Sequence, residues 1–186
     1  MKKLLLKTTF ITLFGFIPLG LFGQGQQPFF SETWLRTGGE MAMFYKSATT
    51  TDNLNNVYVV GATFNTTSSP LTHDIIIQKF NSFGTLLWQK TFDGNAGLDD
   101  MASDVFVDNN YNVYVTGAST DNANNDLDLV VLKYDQYGTF QWTYYYSNGN
   151  SASTKDAGTA IIGDNSGGIY VTGFSFGATS MSDYVT

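Results

Sequence analysis

The sequence predicts an all-β protein: a partial β-propeller of about three four-stranded antiparallel blades, preceded by a signal peptide. Three observations predict it. The chain is self-similar at a period of about 55 residues, strand-length apolar runs recur at a fixed phase in each period, and clusters of Asn, Asp and Gly separate them.

In chain order, the first element is the leader. Lys2 and Lys3 precede an apolar stretch from Leu4 to Phe22, broken by Lys7, Thr8, Thr9 and Thr12 and closing at Leu21-Phe22-Gly23. A charged start, an apolar middle and a small-residue exit make a secretory signal peptide over residues 1–23, with cleavage expected near Gly23. A membrane anchor is the alternative, but Gly15, Pro18 and Gly20 interrupt a helix there and no second hydrophobic segment follows. The expectation is a secreted or cell-surface protein, with no membrane insertion after cleavage. Loss of residues 1–23 removes three lysines and no acid, moving the formal charge from −7 to −10. Such a chain repels phosphate backbones and anionic headgroups, so nucleic acid is not an expected partner.

There are no cysteines, which excludes disulfides, zinc–thiolate sites and cysteine nucleophiles. Charged residues make up only 13% of the chain and aromatics 16%. That balance suits short strands joined by tight polar turns.

Residues 24–38 hold Trp34-Leu35-Arg36-Thr37, which reads as a lone outer-type strand able to close the ring in a complete propeller. Blade 1 is expected over 39–93, blade 2 over 94–148 and an incomplete blade 3 over 149–186. Val57-Tyr58-Val59-Val60-Gly61 recurs as Val113-Tyr114-Val115-Thr116-Gly117 and as Ile169-Tyr170-Val171-Thr172-Gly173, each step 56 residues. The block Asp74 to Phe80 reappears as Asp128 to Tyr134, and Asp183-Tyr184-Val185 begins a third copy. Gly84-Thr85-Leu86-Leu87-Trp88 returns as Gly138-Thr139-Phe140-Gln141-Trp142, and Asp100-Met101-Ala102 corresponds to Asp156-Ala157-Gly158. Glu40-Met41-Ala42 fits as a first copy of that last block if its loop is longer. Four such runs per period, with no 3.6-residue periodicity between them, make one blade.

The turns have their own chemistry. Asp108 to Asn112 and Asp164 to Gly168 separate the first and second runs, and their residue types tolerate positive φ and cap their own backbone. Asn81 to Gly84 and Asp135 to Gly138 separate the third and fourth, with the glycine expected in the left-handed position.

The segments NVYVTG, DLDLVVLKYDQYGTFQW and DAGTAI together resemble the bacterial seven-bladed β-propeller repeat (SBBP) family over residues 32–186. The resemblance implies that the Asp-x-Ala block is innermost, followed by the Val-Tyr-Val-Thr-Gly strand, the Lys-Tyr strand and an outer Trp strand. It also implies an exported or surface protein of bacteria, often carrying adhesion-type or sorting domains, of which none is visible here. A blade of about 55 residues gives three in the mature chain, while closed propellers take four to eight, so a truncated member of a longer parent is expected.

No catalytic, cofactor-binding or metal residue is assigned, and no cofactor is expected. His73, the single histidine, precedes Asp74, yet the next repeat has Leu127 before Asp128 and no partner for a catalytic set recurs. Asp74, Asp128 and Asp183 occur one per blade, too far apart to share an ion, and read as loop caps. The Asp121 to Asp126 loop has the more local oxygens for calcium but lacks the Asp-x-Asp-x-Asp-Gly order. Trp88 and Trp142 read as rings wedged between blades rather than sugar or quinone platforms. The Asp135-x-x-Gly138-x-x-x-Trp142 spacing falls short of a quinoprotein docking motif and is misordered for a sialidase box. The leading function is a non-catalytic binding or structural scaffold whose variable loops, Asn65 to His73, Ser119 to Leu127 and Ser175 to Ser182, meet a protein or glycan at one rim. A fragment of a propeller hydrolase or quinoprotein, with its catalytic residues in other blades, is the alternative. A remnant without independent function is the third.

Overall fold

The structure, a computed structural model, describes residues 48–65, 67, 71–120, 126–148, 155–164 and 166–176, with the backbone of strands 12–16, 31–36 and 183–185. None of the described residues is helical. Two compact units divide the chain, Met1–Met41 and Ala42–Thr186.

In the first unit, β1 (Thr12–Phe16) pairs antiparallel with β2 (Ser31–Arg36), setting Leu13 opposite Leu35 and Phe14 opposite Trp34. β1 falls in the segment expected as a leader, and the lone strand expected around Trp34 is β2. Its ladder partner here is β1.

The second unit is a run of antiparallel meanders. β3 (Ala48–Thr51), β4 (Val57–Asn65), β5 (Thr72–Phe80) and β6 (Leu86–Phe92) form a four-stranded sheet in chain order. β7 (Asp100–Val107), β8 (Val113–Thr120), β9 (Leu127–Tyr134) and β10 (Phe140–Tyr146) repeat that order. β11 (Lys155–Gly163), β12 (Ile169–Phe176) and β13 (Asp183–Val185) form a third meander. It is joined to the second by a single parallel bridge between Lys155 and Leu127.

Period-2 alternation decides the packing. On β8 and β9, Val113, Val115, Val130 and Leu132 turn toward the first sheet and bury with Tyr58, Val60, Ile75 and Ile77. Their neighbours Tyr114, Leu129 and Val131 face the other way and pack with Ile161 of the third sheet. The second sheet is thus covered on both faces, which is why every residue of β8 is buried, its polar Thr116, Ser119 and Thr120 included. The fourth strands β6 and β10 are mostly exposed.

The repeat extends to irregularities that hydrophobic pattern does not encode. Bulges fall at Ser103 in β7 and Thr159 in β11, and again opposite the Lys79–Phe80 and Lys133–Tyr134 steps of the fourth-strand ladders. At the first-strand bulge the chain comes so close to the second strand that a Cβ at Gly117 would collide with the Met101 carbonyl, and one at Gly173 with that of Ala157. The glycine closing each Tyr-Val-Thr-Gly motif is therefore required by close backbone approach.

One five-residue turn is used five times, starting at Asp52, Asn81, Asp108, Asp135 and Asp164. In each, the first side chain's Oδ1 accepts the amides two and four residues on, at 2.8–3.0 Å. The fourth residue takes positive φ: Asn55 (60°), Gly84 (76°), Tyr111 (64°), Gly138 (76°) and Gly167 (89°). These turns gather at one end of the sheets, and the longer connections gather at the other.

Candidate functional site

At the long-loop end, antiparallel register lines up a row of polar residues across each sheet. Thr63 pairs with Asp74, Ser119 pairs with both Asp100 and Asp128, and Ser175 pairs with both Asp156 and Asp183. Thr63, Ser119 and Ser175 are 56 residues apart, so the row is part of the repeat. Asp100, Ser119 and Asp156 are fully buried, and Asp74, Asp128 and Ser175 nearly so.

Stacking of the sheets converts these rows into a cluster. Asp74 at the start of β5, Asp93 just after β6 and Asp100 at the start of β7 bring carboxylate oxygens within 4.8 Å of one another. Asp74 and Asp100 are buried while Asp93 is exposed. The Asn65 side-chain amide donates to Asp74 at 3.3 Å and to Asp93 at 3.5 Å, bridging two of the acids. Oδ2 of Asp100 accepts the Gly94 amide at 2.6 Å, and the equivalent Asp156 accepts the Asn148 amide at 2.7 Å.

Burial dominates the electrostatics here. It pushes Asp100 up to about 6, against the opposing pull of the Gly94 amide and the Ser119 hydroxyl and with a further push from the Asp93 charge. Burial and then the Asp93 charge likewise raise Asp74, while hydrogen bonding from Asn65 partly opposes them. All donors in this cluster are oxygens, the set that hard cations prefer.

His73 lies beside the cluster. Its Nδ1 sits 2.8 Å from Oδ1 of Asp99, its backbone amide donates to the same oxygen at 3.0 Å, and its ring rests on Phe64 with centroids 4.7 Å apart. The pair fastens the 93–99 connection to β5. Asp183 lies on β13, and the 121–125 stretch of the loop weighed for calcium lies outside the described residues; Asp126 at its end is fully buried.

Of Trp88 and Trp142, the first sits at a sheet junction and the second packs within its own sheet. Trp88 donates from Nε1 to the Gln136 carbonyl at 3.1 Å and stands edge-on to Tyr58 at 6.1 Å, tying β6 to the turn of the next sheet. Lys79 donates to that same carbonyl at 3.4 Å. Trp142 packs on Tyr114 at 6.2 Å and remains 40% exposed. Between β6 and β10 an open groove of about 460 Å³ is lined by Lys90, Phe92, Tyr134 and Phe140 among others.

Sequence reasoning singled out Asp74 but not its meeting with Asp93 and Asp100, because it placed repeated aspartates one to a blade. The missing signal was present: Asp100 and Ser119 recur as Asp156 and Ser175 at the same 56-residue step. Compared with known protein families and with curated proteins, the sequence matches neither a family model nor a characterised relative.

Proposed function

We propose that this chain is the blade-bearing part of an exported, non-catalytic β-propeller whose long-loop rim binds a protein or glycan. The observation that carries the reading is the repeated stacking. β7 packs on β3, β4 and β5 as β11 packs on β7, β8 and β9. Neighbouring repeats also bond directly: Asn53 to its equivalent Asn109 at 3.4 Å, and Asp104 to Ile161, whose amide it accepts at 2.9 Å.

On the third sheet, Ile162 and Tyr170 are 64% and 53% exposed, while their equivalents Phe106 and Tyr114 pack in the core between the second and third sheets. A further blade of the same kind fits that face, and a closed ring takes four to eight. The SBBP resemblance supports the same reading, as does the leader-like N-terminus.

The rim is the binding surface because its loops differ between repeats on a framework that does not. A glycan array probed with the full chain, then with the 65–73, 119–127 and 175–182 loops replaced by Gly/Ser segments, tests this. Binding that vanishes with the loops while the far-ultraviolet spectrum is kept supports the proposal. Binding that survives all three replacements, or turnover of an offered glycan, overturns it. N-terminal mass analysis of the exported product should find cleavage near Gly23.

A further inference from the structure

We infer that Asp74, Asp93 and Asp100, together with the Ser119 hydroxyl, form a binding site for a calcium-type divalent cation at the junction of the first and second sheets. The site lies beneath the proposed binding rim but does not depend on that rim's ligand or on ring closure.

The carboxylates come from three segments, β5, the 93–99 connection and β7, and converge within 4.8 Å. That convergence alone would describe many solvated acidic surfaces. A second observation distinguishes this one: apart from the pull of the Ser119 hydroxyl on Asp100, Oδ1 of Asp100 and Oγ of Ser119, both on fully buried residues, reach no hydrogen-bond partner of ordinary geometry. Buried polar atoms are nearly always satisfied, so two orphans side by side need an explanation. Both face the bare Cα of Gly94, where a Cβ would collide with the Ser119 hydroxyl and lie 2.9 Å from Oδ1 of Asp100. A residue without a side chain is what lets these two oxygens lie so close to the 93–99 connection.

A cation there would satisfy both oxygens and offset the repulsion among three carboxylates held this close together. An irregular set of carboxylates and a hydroxyl from separate segments suits calcium, which accepts six to eight oxygens in flexible geometry. It does not suit magnesium, which demands a near-ideal octahedron.

The next junction is a natural comparison. Asp128, Asp156 and Ser175 occupy the equivalent places, and Oδ1 of Asp156 and Oγ of Ser175 are orphaned in the same way. Ser147, however, replaces Asp93, and among the described residues no three carboxylates meet there. One acid fewer predicts a weaker second site, so the first should fill alone at low calcium.

Calorimetric titration of CaCl2 into the chelator-stripped full chain, paired with thermal unfolding, tests the assignment. The expected result is one saturable site with Kd on the order of 10⁻⁵–10⁻³ M. At saturation Tm should rise by about 3–8 °C. Asp93→Asn alters an exposed carboxylate that the fold does not need, and should abolish the heat and the Tm rise while leaving the chelated Tm unchanged or higher. Ser119→Ala should weaken affinity by about fivefold or more through loss of one oxygen ligand. Asp135→Asn, at the opposite end, should leave the calcium response intact. Absence of saturable heat up to about 10 mM calcium, an undiminished response in Asp93→Asn, or an equal response to magnesium would overturn the inference.

Discussion

Asp52 shows what one carboxylate does in this architecture. It accepts from the amides of Leu54 and Asn56, from the Asn56 side chain at 2.8 Å and from the Tyr58 hydroxyl at 3.0 Å. Burial alone would raise its pKa, but these donors outweigh it and hold it below 3.8. A group depressed on folding contributes stability that is present above its unfolded pKa and is lost as pH falls through the folded value. Asp52→Ala should therefore cost about 2 kcal/mol at neutral pH. In denaturant titrations at a series of pH values, the gap from wild type should be full above about pH 5 and close as pH drops below 3.8. Gly117→Ala acts through sterics: its methyl meets the Met101 carbonyl, so the bulge must shift. A loss of about 2–4 kcal/mol is expected by urea unfolding, independent of pH.

At the scale of elements, Trp88 fastens the fourth strand of one sheet to the Gln136 carbonyl of the next, and Tyr58 supports its ring. Trp88→Ala should cost about 2–3 kcal/mol in urea unfolding, whereas Trp88→Phe, which keeps the ring and loses the donor, should cost about 1 kcal/mol. Equal losses in the two variants would show that the ring contact contributes nothing. Strands and turns were legible in the sequence because their signals are local. Val113 to Gly117 spells a strand, and Asp135-Gln136-Tyr137-Gly138 spells its own turn through an Asx oxygen and a left-handed glycine. The bulges at Ser103 and Thr159 were not legible, since alternation says only which face a residue takes. Nor was the meeting of Asp74 with Asp100, which depends on how one sheet lies over the next.

In the second unit as a whole, protection is graded by cover. The middle sheet is buried on both faces, while Ile162, Tyr170 and Phe176 of the third are exposed. Hydrogen exchange should therefore be slowest in β8 and β9, slow in β4 and β5, and fastest among the ladders in β11 and β12. Uniform protection across the three meanders would contradict this order. Each ladder in the unit joins strands adjacent in the chain, apart from the single Lys155–Leu127 bridge, and identical five-residue turns close five of the hairpins. A chain wired this way can complete a meander as soon as its last residues are free, without waiting for distant sequence. Emerging N-terminus first from the ribosome, it would assemble vectorially, each new sheet settling on the one already formed.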